Sequence, residues 1–249
     1  MATLNGCAES DTGGESIRFR MNVASSADDG EELGAFTTRS GYRVTLTEAR
    51  VALGPIYLYE NPPPVAQAPR RRTLWDLIVP SAFAHPGDQH FAGGAVKGEY
   101  LGQVVLDGLS DEPLALGEVP GVAGISRSFS VYLEPPASAE AKRALHGYHA
   151  FVVGDAEKAG VTYPFEGGLN IGNEGTLRRV EGIALDADLS AQSQVTIEIH
   201  LSRWFADAEF DRLSERADSG RYVIDEPAQV GAAWFIGARS FDTFSASVE

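Results

Sequence analysis

The chain has 249 residues, 43% of them hydrophobic and 22% charged, a composition that supports one sizeable folded core and excludes disorder of the whole chain. With 20 Lys and Arg against 35 Asp and Glu the net charge is -15, so the average surface repels nucleic-acid phosphates and anionic lipid headgroups, and a cation is the more natural small partner. The 27 glycines and 13 prolines suit many short elements joined by turns, which favours β structure.

The first motif is Leu4-Asn5-Gly6-Cys7, which resembles a bacterial lipobox: a branched apolar residue, a polar residue, Gly, then the Cys that is lipidated. Cys7 is the single cysteine, so no internal disulfide can form. From Ala8 to Glu15 the chain is polar and Gly-containing, as a tether is. Six residues before Cys7 are too few for the charged and apolar regions of a signal peptide, so a longer precursor is expected. Ala8, next to the lipidated position, resembles the sorting pattern of outer-membrane lipoproteins. The expectation is an outer-membrane lipoprotein facing the periplasm, with residues 1–15 as lipobox remnant and tether and residues 16–249 as a single domain. No stretch of about 18 apolar residues exists to span a bilayer.

Ser16 to Val23 alternates, with Ile17, Phe19, Met21 and Val23 on one face and Arg18, Arg20 and Asn22 on the other, which predicts a half-buried strand. An acidic loop, Asp28-Asp29-Gly30-Glu31-Glu32, follows; it lacks the spaced ligands of a calcium loop and reads as solvated. Tyr42, Val44 and Leu46, then Ile56 and Leu58 after Gly54-Pro55, resume the alternation. Asn61 to about Gly98 is a long irregular loop, proline-rich at its start, with Arg70-Arg71-Arg72 read as solvated and Trp75 among apolar neighbours. Strands are predicted over 100–106, 125–133, 148–153, 160–165, 179–189 and 194–202, with Glu166-Gly167-Gly168 and Asn173-Glu174-Gly175 as turn signals. Alternation places Val195, Ile197, Ile199 and Leu201 inward and Thr196, Glu198 and His200 on the exposed face. Asp225-Glu226-Pro227 predicts a helix start, and Val230, Trp234, Ala238 and Phe241 recur at helical spacing. The fold expected is an all-β antiparallel β-sandwich with one long irregular loop and a peripheral C-terminal helix.

Two of the five histidines fall in Ala84-His85-Pro86-Gly87-Asp88-Gln89-His90. Pro at the second and Gly at the third position of His85-Pro86-Gly87-Asp88 predict a type II turn, because Pro presets φ and Gly accepts φ > 0. Such a turn lets His85, Asp88 and His90 converge on a metal ion, and this ligand set suits copper or zinc. His200 or His149, or Glu99 just after the loop, is the candidate to complete it. The bland alternative is a loop whose imidazoles bond backbone groups. Hydrolase elbows, phosphate-binding Gly loops and zincin helices are absent, so an enzyme is not expected; Asp186 and Asp188 share a strand face but read as solvated. Trp204 and Trp234 read as core anchors.

The strand order, with "YRVTLTEARVALGPIYLY" early, "SFSVYLEPP" in the middle and "GYHAFVVGDAEKAGVTYPFEGGLNI" then "VTIEIHLSRWF" late, resembles that of the methanobactin-associated periplasmic copper-binding proteins. The resemblance covers Tyr42 to Phe205. It implies a β-rich exported protein, copper as the metal, and a di-haem peroxidase as a partner. This chain lacks the cysteines of the four-cysteine members, and no functional residue carries over. The Ala84-His85-Pro86-Gly87 loop with Gly98-Glu99 also resembles a group of uncharacterised bacterial lipoproteins, consistent with the alternative of a structural or protein-interaction lipoprotein without metal.

Overall fold

A computed structural model describes residues 14–63, 94–172, 175–214, 216–225 and 228–249. Two sheets share one hydrophobic core, so the chain is the all-β sandwich expected. The larger sheet takes its strands in the order β11 (Arg179–Leu189), β8 (Gly124–Tyr132), β4 (Ile56–Tyr59), β5 (Val96–Tyr100), β7 (Leu114–Val122), β1 (Ser16–Ser25), β12 (Gln194–Ile199) and β14 (Phe244–Val248). The smaller runs β13 (Tyr222–Ile224), β10 (Val161–Leu169), β9 (Ala150–Lys158), β3 (Arg43–Leu53) and β2 (Ala35–Thr37), with β6 (Val104–Asp107) on the other stretch of β3.

Alternation is the cause of this layering. Met21 and Val23 of β1 and Val195, Ile197 and Ile199 of β12 are fully buried, as are Val44 and Val51 of β3 and Val152 of β9 from the opposite sheet. One end of the core is aromatic: Phe165, Phe205, Phe210 and Trp234 pack with Phe165 to Phe210 at 4.7 Å and Phe205 to Trp234 at 5.0 Å between ring centroids.

Several local expectations need correction. The sheets are mixed, because β1 runs parallel to β12 (Met21 beside Val195) and β10 parallel to β13. A parallel neighbour 174 positions away has no local signature. The single strand expected over 100–106 is two: β5 belongs to the larger sheet and β6 to the smaller, and the chain crosses between sheets at Leu101-Gly102-Gln103. Gly167 and Gly168 sit inside β10 rather than in a turn, since neighbouring groups leave no room there for side chains. The strand expected to Ser202 stops at Ile199, and Leu201–Trp204 form a short helix, α2.

Other elements carry too weak a pattern to read. Strand β7 contains Gly117, Pro120 and Gly121 and buries only Val119. The Ala139–Ala144 helix, α1, starts at Ser138, whose hydroxyl accepts from the Ala141 N–H at 3.0 Å. The expected C-terminal helix, α3, spans Gln229–Ala238 and buries Val230, Trp234 and Ala238, whereas Phe241 lies beyond it in a 3-10 turn, 63% exposed.

Candidate functional site

The described histidines 149 and 200 each occupy a polar site inside the fold, and the two share no bonding partner. His200 follows β12, where alternation would expose it; it is instead only 7% exposed. The reason is the acidic loop after β1. Ser26 N–H donates to the Ile199 carbonyl at 2.9 Å, which folds the loop over the end of β12 and brings Asp28 to the ring. Asp28 is therefore no solvated acid. Its carboxylate accepts from Ser202 Oγ at 2.5 Å, Arg203 Nε at 2.8 Å and Arg203 Nη2 at 2.5 Å, and lies 3.3 Å from His200 Nδ1. Burial opposes its charge, but the Arg203 and Ser202 hydrogen bonds outweigh burial and hold its carboxyl below the usual range.

On the ring's other side His200 Nε2 is 2.9 Å from Ser245 Oγ, which donates to Glu198 Oε2 at 2.8 Å. Burial, then the Arg203 charge, lowers the His200 pKa against the opposing pull of Asp28 and Glu198. Asp28, His200 and Ser245 thus stand in the order of a nucleophile triad. The surroundings do not serve that chemistry. The Ser245 proton is given to Glu198, and the 3.3 Å Asp28 contact lacks hydrogen-bond alignment at Nδ1. The reciprocal Gln194 and Glu249 bonds and the His200 N–H to Thr243 carbonyl bond place Glu198 and Ser245 on a hydrogen-bonded pair of the ladder, so the Ser245 N–H is committed to β12 and cannot stabilise an oxyanion. The cluster is a polar clasp joining the acidic loop, α2 and the edge strand β14.

His149 precedes β9 and is 3% exposed. Its backbone N–H donates to the Leu169 carbonyl at 2.9 Å, and its Nδ1 accepts from the Ile171 N–H at 3.2 Å. In the neutral ring the proton must then reside on Nε2, which is buried without a partner. Burial, followed by the nearby Arg178 charge, pushes the His149 pKa down to about 4. Ligation of a metal through Nε2 would need that nitrogen deprotonated and the Nδ1 bond to Ile171 given up.

Among the described residues no group of three or more His, Cys, Asp or Glu side chains is placed to hold a metal ion. His85, Asp88 and His90 lie outside the described residues, as do Cys7, Trp75 and Arg70 to Arg72. Glu99 is opposite Tyr57 in the β4 and β5 pairing. Asp186 and Asp188 are exposed on one face of β11. Trp204 and Trp234 are buried to 1% and 0%, as core anchors are. No described helix is long and apolar enough to cross a membrane.

No family model matches the chain, and no curated protein matches it. A distant likeness exists to a solved structure. It is MbnP from Methylosinus trichosporium, 11% identical, with a TM-score of 0.44 over 94% of this chain and 98% of that one. At that distance no residue role passes from MbnP to this chain.

Proposed function

We propose that the protein is a non-catalytic envelope lipoprotein, anchored through Cys7, that binds one transition-metal ion, copper or zinc, at His85, Asp88 and His90. The observation that carries the proposal is the placing of two imidazoles and a carboxylate within six residues around a Pro-Gly turn, in a strongly acidic chain. Copper, and a di-haem peroxidase as the envelope partner, are the forms of this reading implied by the strand-order resemblance. His149 and His200, the candidates for a further ligand, hold the bonds described above, so the proposal rests on the three loop residues and places any fourth ligand secondary to them.

The deciding experiment is metal content by mass spectrometry, with copper and zinc titrations, on the untagged chain and its His85→Ala, His90→Ala double variant. About one equivalent retained through dialysis and lost in the variant is the expected result. Equal retention by both proteins would sink the site.

A second reading, a protein-interaction lipoprotein without metal, is favoured by Ile236 on α3 and Phe241 just beyond it, which are 69% and 63% exposed. It predicts no retained metal and loss of a co-purifying envelope protein when both residues become Ser.

A further inference from the structure

A second surface, unrelated to the histidine loop, is built across the outer face of the smaller sheet. Asp107, Arg50, Phe151 and Gly168 occupy paired positions on the adjacent strands β6, β3, β9 and β10. The Arg50 guanidinium meets the Asp107 carboxylate at 2.8 Å, and both side chains remain open to solvent. At the other end of the row Gly168 is required by close approach. A Cβ there would fall inside 3.0 Å of the Tyr148 ring, so that ring occupies the space a side chain would take and rests on the bare backbone of β10.

Tyr148 over β10 and Phe151 on β9 are therefore neighbours with nearly parallel rings, their planes within 19° and their centroids 6.4 Å apart. His146, held at φ 51°, places its ring 4.3 Å from Phe151 and extends the surface. Tyr148 is 38% exposed. Arg50 also borders a cleft of about 690 Å³ whose lining includes Glu48, Ser138 and Glu140.

A partly exposed aromatic cluster beside a guanidinium and carboxylates matches a molecule with one apolar face and a rim of hydroxyls. A wholly apolar ligand would find no enclosure here, and a polyanion would meet a chain of net charge -15. We propose that this face binds a neutral glycan, one pyranose ring packing its C–H face on Tyr148 and Phe151 while adjoining sugar units run across the strands toward Arg50, Asp107 and Glu48. The proposal is independent of the metal reading.

The test is native electrophoresis of the full chain through gels containing amylopectin, mixed-linkage β-glucan or galactomannan, with alginate as the acidic control. Retardation by at least one neutral polysaccharide is expected, weakened about tenfold in Tyr148→Ala and retained in Tyr148→Phe. Thermal melting of each variant checks the fold. His146→Gly, at a backbone conformation glycine favours, gives a second loss of retardation that does not depend on Tyr148. Unchanged mobility in all three neutral gels, equal retardation of wild type and both ring-deletion variants, or stronger retardation by alginate would each overturn the proposal.

Discussion

The Nδ1 of His149 accepts the backbone N–H of Ile171 at 3.2 Å, so this buried ring is neutral and works as an acceptor in the fold. Protonation would break that bond and charge a desolvated ring beside Arg178. The folded pKa of about 4 lies below the usual 6.5, so the unfolded chain takes the proton first. His149 therefore stabilises the fold fully above pH 6.5, and the contribution fades as pH falls from 6.5 to about 4, by at most about 3 kcal/mol. Urea unfolding followed from pH 7 to pH 4 should show this loss. A His149→Asn variant should start less stable and fall less steeply; an unchanged slope would remove His149 as the cause.

Asp28 should matter for the same pH direction but by another route. Its carboxyl is held below the usual range, so its contribution is complete above pH 3.8 and is lost as acid protonates it. Asp28→Ala leaves Arg203 and Ser202 without their common acceptor and removes the carboxylate beside His200, and a destabilisation of about 2–3 kcal/mol is expected from denaturant midpoints. Asp28→Asn should recover part of it. Proteolysis within the loop from Ser26 to Gly34 should accelerate in Asp28→Ala; protection equal to wild type would show that the clasp does not hold the loop.

Tyr42, 1% exposed, should ionise late. Burial first, then its hydrogen bond with Asp211, pushes the phenol up to about 12. A folded pKa above the unfolded 10 means stability is intact below pH 10 and is lost as pH rises toward 12. Ultraviolet titration should show a late phenolate that Tyr42→Phe removes; a variant with the same late step would reassign it.

Gly237→Ala tests where α3 crosses α2. A Cβ at 237 would fall inside 3.0 Å of Trp204 backbone atoms, which cannot rotate away as a side chain would. The helices must separate, at a cost of about 1–3 kcal/mol and with altered near-ultraviolet signal from Trp204 and Trp234. Thermal melting that matched wild type would show that the contact yields freely.

Residue alternation in the sequence determined the strands whose two faces meet different media. In β1 and β12 alternate residues enter the core, as in β3 until an irregularity between Leu46 and Glu48 shifts the phase to Ala49 and Val51, and β11 was legible from Arg179 to Leu189 to the residue. Helix α3 was legible from the spacing of Val230, Trp234 and Ala238. The turn chemistry of His85-Pro86-Gly87-Asp88 was likewise a sequence-level observation. Only the tertiary structure decided what surrounds a given face. His200 stands where alternation exposes it, yet a loop 172 residues earlier covers it with Asp28. Gly167 and Gly168 carry the composition of a turn but lie in a strand, because Ile224 and Tyr148 press against their backbone from distant parts of the chain. The parallel pairing of β1 with β12, the clasp around His200 and the ring ledge on Gly168 all join residues far apart in sequence. Local periodicity reports whether a side chain turns inward or outward; it contains no information on which distant segment arrives to meet it.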